Sequence, residues 1–229
     1  MPIDMELEAV LRPMQYEMPP YPPKVIILAN GKKMVVRQAM REDVPAILKS
    51  VHPCIFIERD YYDIVSARLY GELLAWYRFR VKSEYCLMGQ VDGYLVGVVN
   101  GRLENEKVGR SYHPLAIDRG LRIGSHLFAA KMEYHMEYLG QDSVLIVAES
   151  PIGFRRWMIE YPLEKTNIPH ELGGGDSYRL TRDIYIKAKP RLVVGDRPVP
   201  EDLMDEAIAE IKFADDATIR ERIAGLKGR

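Results

Sequence analysis

The sequence predicts an α/β protein with a central mixed, mostly antiparallel sheet and helices on both faces. Three observations predict it. Two hairpin signals, pairs of Val-, Leu-, Ile- and Tyr-rich runs around Asn30-Gly31 and Asp92-Gly93, give antiparallel strand pairs. A helix-period segment lies between strand-like runs at 108 to 117 and 144 to 148, which makes a βαβ crossover with one parallel pair. The turn that joins the first of those runs to the helix, residues 119 to 125, reads RGLRIGS. Such a turn presents backbone N–H groups without intrahelical partners at the positive end of a helix dipole, a geometry that suits a phosphate or pyrophosphate.

The elements follow in order. Residues 13 to 23, PMQYEMPPYPP, are too rich in proline for a helix and predict an extended surface segment. KVIILA at 24 to 29 and KMVVR at 33 to 37 flank Asn30-Gly31 as the first hairpin. Arg41-Glu42-Asp43 opens a short helix with Val44, Ile47, Leu48 and Val51 on its apolar face. A long helix over 58 to 79 carries Tyr62, Val65, Leu69, Leu73 and Trp76 at three- and four-residue spacing, with Tyr61, Ile64, Tyr70, Leu74 and Tyr77 widening the stripe. Its acidic start, Glu58, Asp60 and Asp63, complements the helix dipole or attracts a cationic amine. The second hairpin spans 85 to 91 and 94 to 100. In the third run Pro114 has no N–H to give a ladder, which predicts a bulge or a splayed strand. A helix over 122 to 139 presents Ile123, Leu127, Ala130 and Tyr134 beside Phe128, Met132, Met136 and Leu139. VLIVA at 144 to 148 reads as a strand buried on both faces. A helix over 152 to 160, a flexible Gly173-Gly174-Gly175 and a final strand over 178 to 186 complete the core. Two short tail helices follow Pro190, one carrying Leu203, Met204, Ala207, Ile208 and Ile211, the other Ile219, Ile223 and Leu226. Their apolar faces would cap the domain or bury against a second subunit of a homodimer. The divisions expected are an amino-terminal extension with the first strand over 1 to 32, the main domain over 33 to 189, and a helical extension over 190 to 229.

Composition bounds the function. The 229 residues are 47% hydrophobic and 28% charged with a net charge of −1, so a soluble globular chain is expected with no general attraction to nucleic acid or anionic membrane. Two cysteines, Cys54 and Cys86, lie among apolar residues, and neither a disulfide framework nor a metal site is expected. With an acidic amino terminus and no apolar run of membrane length, a cytoplasmic location is expected.

The loop 119 to 125 fits neither the P-loop, which needs Lys-Ser/Thr after its last glycine, nor the three-glycine dinucleotide fingerprint. It resembles the acyl-CoA pyrophosphate loop of the GNAT N-acetyltransferase superfamily, whose pattern is Arg or Gln, two residues, Gly, one residue, then Gly or Ala, often RGKGIGS. Arg119, Gly120, Ile123, Gly124 and Ser125 match it, and Arg122 stands where the first motif glycine belongs. The order of elements from about 33 to 188 is similar to the GNAT topology, which implies a splayed acyl-CoA-binding strand pair at the Pro114 strand.

The resemblance implies a cofactor, acetyl-CoA or another acyl-CoA, and transfer of the acyl group to an unidentified amine of a small molecule or a protein lysine through a tetrahedral intermediate. Backbone N–H groups of Leu121, Arg122, Ile123, Gly124 and Ser125 would hold the pyrophosphate, with Arg119, Arg122 and Arg156 offsetting its charge. Main-chain groups of Leu115, Ala116 and Ile117 would pair with the pantetheine arm and polarise the thioester. A base must take the acceptor's proton, and Glu104, Glu106, His113 and Glu149 flank the predicted central strands. At the family's place for the tyrosine that protonates the departing thiolate stands Trp157, with Tyr161 one helical turn later. His135 reads as an ordinary helix-face residue. A second reading is a catalytically weak GNAT-like module that binds CoA and serves regulation or assembly, favoured by Arg122, Trp157 and the added tail. A nucleotide-binding α/β protein is a third, without its motifs.

Overall fold

A computed structural model of the chain describes residues 17–81, 83–171 and 176–224. The acidic amino terminus, the start of the proline-rich segment, Gly173-Gly174-Gly175 and Leu226 lie outside the described residues. Eight strands form one sheet: β1 (Lys24–Ile27), β2 (Lys33–Gln38), β3 (Glu84–Val91), β4 (Tyr94–Leu103), β5 (Val108–Ala116), β6 (Ser143–Ile146), β7 (Glu164–Pro169) and β8 (Asp176–Thr181). Their order is β1-β2-β3-β4-β5-β6-β8-β7, antiparallel throughout except for the parallel β5–β6 pair. The helices are α1 (Val44–Val51), α2 (Tyr62–Tyr77), α3 (Ile123–Glu133), α4 (Pro151–Glu160), α5 (Arg182–Leu192), α6 (Glu201–Ile208) and α7 (Asp216–Ala224). Among the described residues no helix is long and apolar enough to cross a membrane.

The sheet separates two cores by the period of two that its strands carry. On β3, Cys86 and Met88 pack with α1 and α2, while Tyr85 and Leu87 pack with α3. Both cysteines are buried free thiols. Asp92 and Gly93, at φ 52° and 76°, make the tight turn that their sequence predicts. The predicted stripe of α2, Tyr62, Val65, Leu69, Leu73 and Trp76, is buried, whereas Tyr61 is 51% exposed. Tail residues Ile211, Ile219 and Ile223 pack in the same core as α1 and α2, so those apolar positions are covered by the chain's own domain.

Four elements differ from the sequence reading. The long helix starts at Tyr62 and not at 58, because Asp60 and Tyr61 take left-handed φ values of 54° and 63° that no helix continues through. The helix after the glycine loop gives way to a π turn at Tyr134–Tyr138, where His135 is fully buried between Tyr85 and Gln141 and is no ordinary helix-face residue. Burial holds its imidazole down at about 3, hence neutral. The last strand ends at Thr181, whose Oγ1 accepts from Ile184 N at 3.4 Å and caps α5, and Ile184, Tyr185 and Ala188 are buried at helical spacing. Finally, β7 has no counterpart in the sequence reading: EKTNIP at the sheet edge is mostly exposed and carries no alternation to read.

Candidate active site

The site begins as a fault in the sheet. Opposite Val99–Gly101, β5 carries one extra residue between Ser111 and Pro114, a bulge where the proline removes a donor. The parallel pairing of β5 with β6 stops there, at Ser111↔Ile146, with Val147 N still donating to Ser111 O at 3.2 Å. Beyond it the strands diverge. Lys131 of α3, fully buried, donates to the carbonyls of Asn100 and Tyr112 beside the bulge at 3.1 and 2.9 Å, and burial lowers its ammonium to about 7.

A cavity of about 250 Å³ opens between the diverging strands, walled by the start of α2, the loop and start of α3, and α4. The ladder decides which backbone groups face it. Ile117 N donates to Val96 O at 2.8 Å, so the N–H groups of Leu115 and Ile117 turn toward β4 and those of the residues between point into the gap. There Ala116 offers its N–H, while its carbonyl accepts the Tyr62 hydroxyl at 2.6 Å. Pro114 offers no donor. Of the three main-chain residues predicted to meet pantetheine, Ala116 thus presents its polar groups to the gap, Leu115 lines the cavity, and Ile117 is buried in the α2-side core.

The loop then turns on two left-handed residues, Gly120 at φ 89° and Arg122 at φ 60°. Gly120 meets nothing within 4 Å of an added Cβ, so its need for glycine is conformational and not steric. Arg122 occupies the same backbone region at the cost of strain, which is why a glycine is the cheaper residue at that position. No side chain caps α3, and the N–H groups of Ile123, Gly124 and Ser125 begin the helix at the cavity wall. An added Cβ on Gly124 would make ordinary contact with Ala116 at 3.7 Å, so a small side chain fits and only a bulky one reaches into the cavity. Leu121 packs against the α3-side core and does not line the cavity.

Each basic side chain here has an internal acid. Arg119 bonds Asp60 at 2.7 Å and lies over the Tyr62 ring, 5.4 Å from its centroid. Arg122 and Arg156 both reach Glu160 Oε1 at 2.7 Å. At the inner end, buried Glu149 pairs with His113 Nδ1 and with Arg68 at 2.8 Å. Burial alone would raise its carboxyl, but the bonds and charges of His113 and Arg68 outweigh that and lower it.

Other predicted residues lie elsewhere. Glu104 bonds Arg110 at 2.9 Å near the β4–β5 turn, at the far end of β5 from the loop, and Glu106 is exposed in that turn. Tyr161 is buried against Phe128, its hydroxyl without a partner among the described residues, and is absent from the cavity lining; Trp157 lines the cavity and stacks on Phe128 at 4.5 Å. Sequence reasoning missed the roles of Asp60, Arg68 and Tyr62. Their partners lie 54 to 81 residues away, beyond any local pattern.

The sequence matches no family model and no curated protein. In solved structures the likeness is plain. An uncharacterized protein from Bacillus halodurans superposes with a TM-score of 0.52 at 11% identity, over 74% of this chain and 95% of that one. A candidate acetyltransferase from T. thermophilus gives 0.50 at 12%, over 78% and 97%. PaiA N-acetyltransferase from Thermoplasma acidophilum, in complex with coenzyme A, gives 0.47 at 12%, over 65% and 98%. At these identities the likeness is one of architecture, and with the strand order and the divergence of β5 from β6 it shows that this chain has the fold of the GNAT N-acetyltransferase superfamily.

Proposed function

We propose that the protein transfers an acyl group, most simply acetyl, from acyl-CoA to an amine of a small molecule or a protein lysine. One observation carries this reading: the cavity between the diverging strands has an uncapped helix start at one side and a free strand-edge donor at the other. The residues fit an acyl-CoA. The N–H groups of Ile123, Gly124 and Ser125 suit a pyrophosphate, and Arg119, Arg122 and Arg156 can exchange an internal carboxylate for a phosphate. Ala116 N–H suits the thioester or pantetheine, since a donor aimed at the developing oxyanion contributes about 3 kcal/mol.

Nucleophilic attack needs a neutral amine. Glu149 is the carboxylate at the inner end of the cavity, and its lowered proton affinity makes it a better anchor for an ammonium than a lone base. Through the Nδ1 bond, His113 donates to the Glu149 carboxylate and fixes its orientation at the cavity. Tyr161 is packed in the core between α4 and α5 and does not line the cavity.

A second reading, a catalytically weak CoA-binding module, is favoured by Arg122 in a strained conformation and by Asp60 and Glu160 holding the cavity's arginines. Calorimetric titration with acetyl-CoA, CoA, ATP and NAD tests the first reading. Saturable binding of the two CoA species alone, followed by thiol release with an amine panel, is expected. Binding without thiol release favours the module, and no CoA binding overturns both.

A further inference from the structure

Resting on the acyl-transfer reading, we infer that Tyr62 of α2 is the group that donates a proton to the departing sulfur, a role that neither Trp157 of α4 nor Tyr161 just after it fills. A thiolate leaving a thioester gathers negative charge at sulfur, and the group that stabilises it must carry a donor hydrogen in the gap beside the strand edge. Tyr62 meets that condition. Its side chain is buried, it lines the cavity, and its hydroxyl reaches the gap-facing carbonyl of Ala116 at 2.6 Å. Ala116 is also the residue whose N–H faces the gap, so thioester oxygen and sulfur held there would lie beside the phenol.

On the opposite wall neither aromatic candidate serves. Trp157 presents an indole whose N–H is no acid near neutral pH, and the Tyr161 hydroxyl sits in the core between α4 and α5. Around the Tyr62 hydroxyl the titratable and charged groups are Arg119 of the loop, Cys54 of the turn before α2, and Arg59 and Asp60 of the approach to α2. Burial raises the phenol well above its ordinary value and Arg119 partly offsets this, so the hydroxyl is protonated at neutral pH and available as a donor.

The step balances. The amine nitrogen forms a bond to the carbonyl carbon, and the carbon–sulfur bond breaks with its electron pair going to sulfur. The Tyr62 hydroxyl gives its proton to sulfur, and the phenolate regains one from the proton released by the acylated nitrogen. The products are an amide and free CoA thiol, with no net change in the enzyme.

The test needs no acceptor. CoA alone is bound to the full-length protein, and the thiolate absorbance is followed with pH for wild type, Tyr62→Phe and Tyr161→Phe. In wild type the bound thiol should ionise below the value of free CoA titrated alongside. Tyr62→Phe should raise it by about 1 to 2 pKa units, the effect of removing one hydrogen bond to a charged group, and Tyr161→Phe should leave it unmoved. Equal values in wild type and Tyr62→Phe, both binding CoA, would overturn the assignment and leave the acyl-CoA reading standing; failure of wild type to bind CoA would remove both. Should Tyr62→Phe lose CoA binding, 3,5-difluorotyrosine at position 62 keeps the packing and sharpens the donor. The bound thiol should then ionise at lower pH, and an unchanged value would equally overturn the assignment.

Discussion

Glu133 and Glu160 each gather two basic side chains, and their surroundings give the two clusters opposite uses. Glu133, on α3 far from the cavity, is nearly sealed: it takes Lys24 at 2.7 Å, the Tyr21 hydroxyl at 2.7 Å and both Arg197 nitrogens at 2.9 and 3.1 Å. Lys24 is 1% exposed at its side chain and Glu133 4%, so water cannot replace that pair, and Arg197, 28% exposed, is the one partner it reaches. Glu160 is also buried, 8% exposed at its side chain, but its partners Arg122 and Arg156 are 53% and 44% exposed. Those arginines can turn to another anion at little cost, because water or a phosphate can take the carboxylate's place. The lesson is that burial of the cations, more than the count of ion pairs, separates a fixed tie from an exchangeable one.

The largest expected effect lies at the sealed cluster. Glu133→Gln leaves Lys24 facing a neutral group in a buried site and should cost about 3 to 5 kcal/mol in denaturant unfolding, with CoA affinity of the folded fraction unchanged. A loss below about 1 kcal/mol would place Glu133 in the same class as Glu160. Acid should act on it in a defined direction. Burial would raise the Glu133 carboxyl, but Arg197 and Lys24 lower it overall, so its contribution is complete above the unfolded carboxylate value near 4.3 and is lost as pH falls through the lower folded value. Acid unfolding curves should show that this loss is absent in Glu133→Gln.

At the cavity the stabilities change less and the affinities more. Gly120→Val forces a β-branched residue to φ 89° and should cost about 1 to 2 kcal/mol, with weaker CoA binding; full stability would mean that the loop relaxes to another conformation. Arg122→Gly relieves left-handed strain but adds unfolded-chain freedom, so stability should stay within about 1 kcal/mol. Calorimetry on that variant asks whether backbone relief or the lost charge dominates CoA affinity. Smallest in stability is Glu160→Gln, under about 1 kcal/mol because the freed arginines are solvated. It should tighten CoA binding several-fold at low salt and less at high salt; no change at low salt would mean that Arg122 and Arg156 do not meet the ligand.

Much of the scaffold was legible because it rests on local periodicity. The Val-, Leu- and Tyr-rich runs of β3 and β4, the Asp92-Gly93 turn and the stripe of α2 each follow from residues within one segment. Pro114 foretold the bulge, since a missing donor is a property of the residue itself. The edge strand β7 and the start of α5 were hidden for a related reason: one has no buried face, and the other depends on the Thr181 cap and on packing against β6 and α3. At the site, the glycine loop and Trp157 could be read from the sequence, whereas the positions of Glu104 and Tyr161 outside the cavity could not.

What the sequence by itself determined, then, is the order of strands and helices as far as α4, the weak point in β5 and the glycine turn that leads into α3, all set by neighbours a few residues apart. Only the tertiary structure decided that Asp60 holds Arg119, that Arg68 and His113 hold Glu149, and that Tyr62 reaches Ala116. Each of those contacts joins side chains brought together by the packing of α2 and the β6–α4 segment around diverging strands, and no spacing along the chain encodes such a distance.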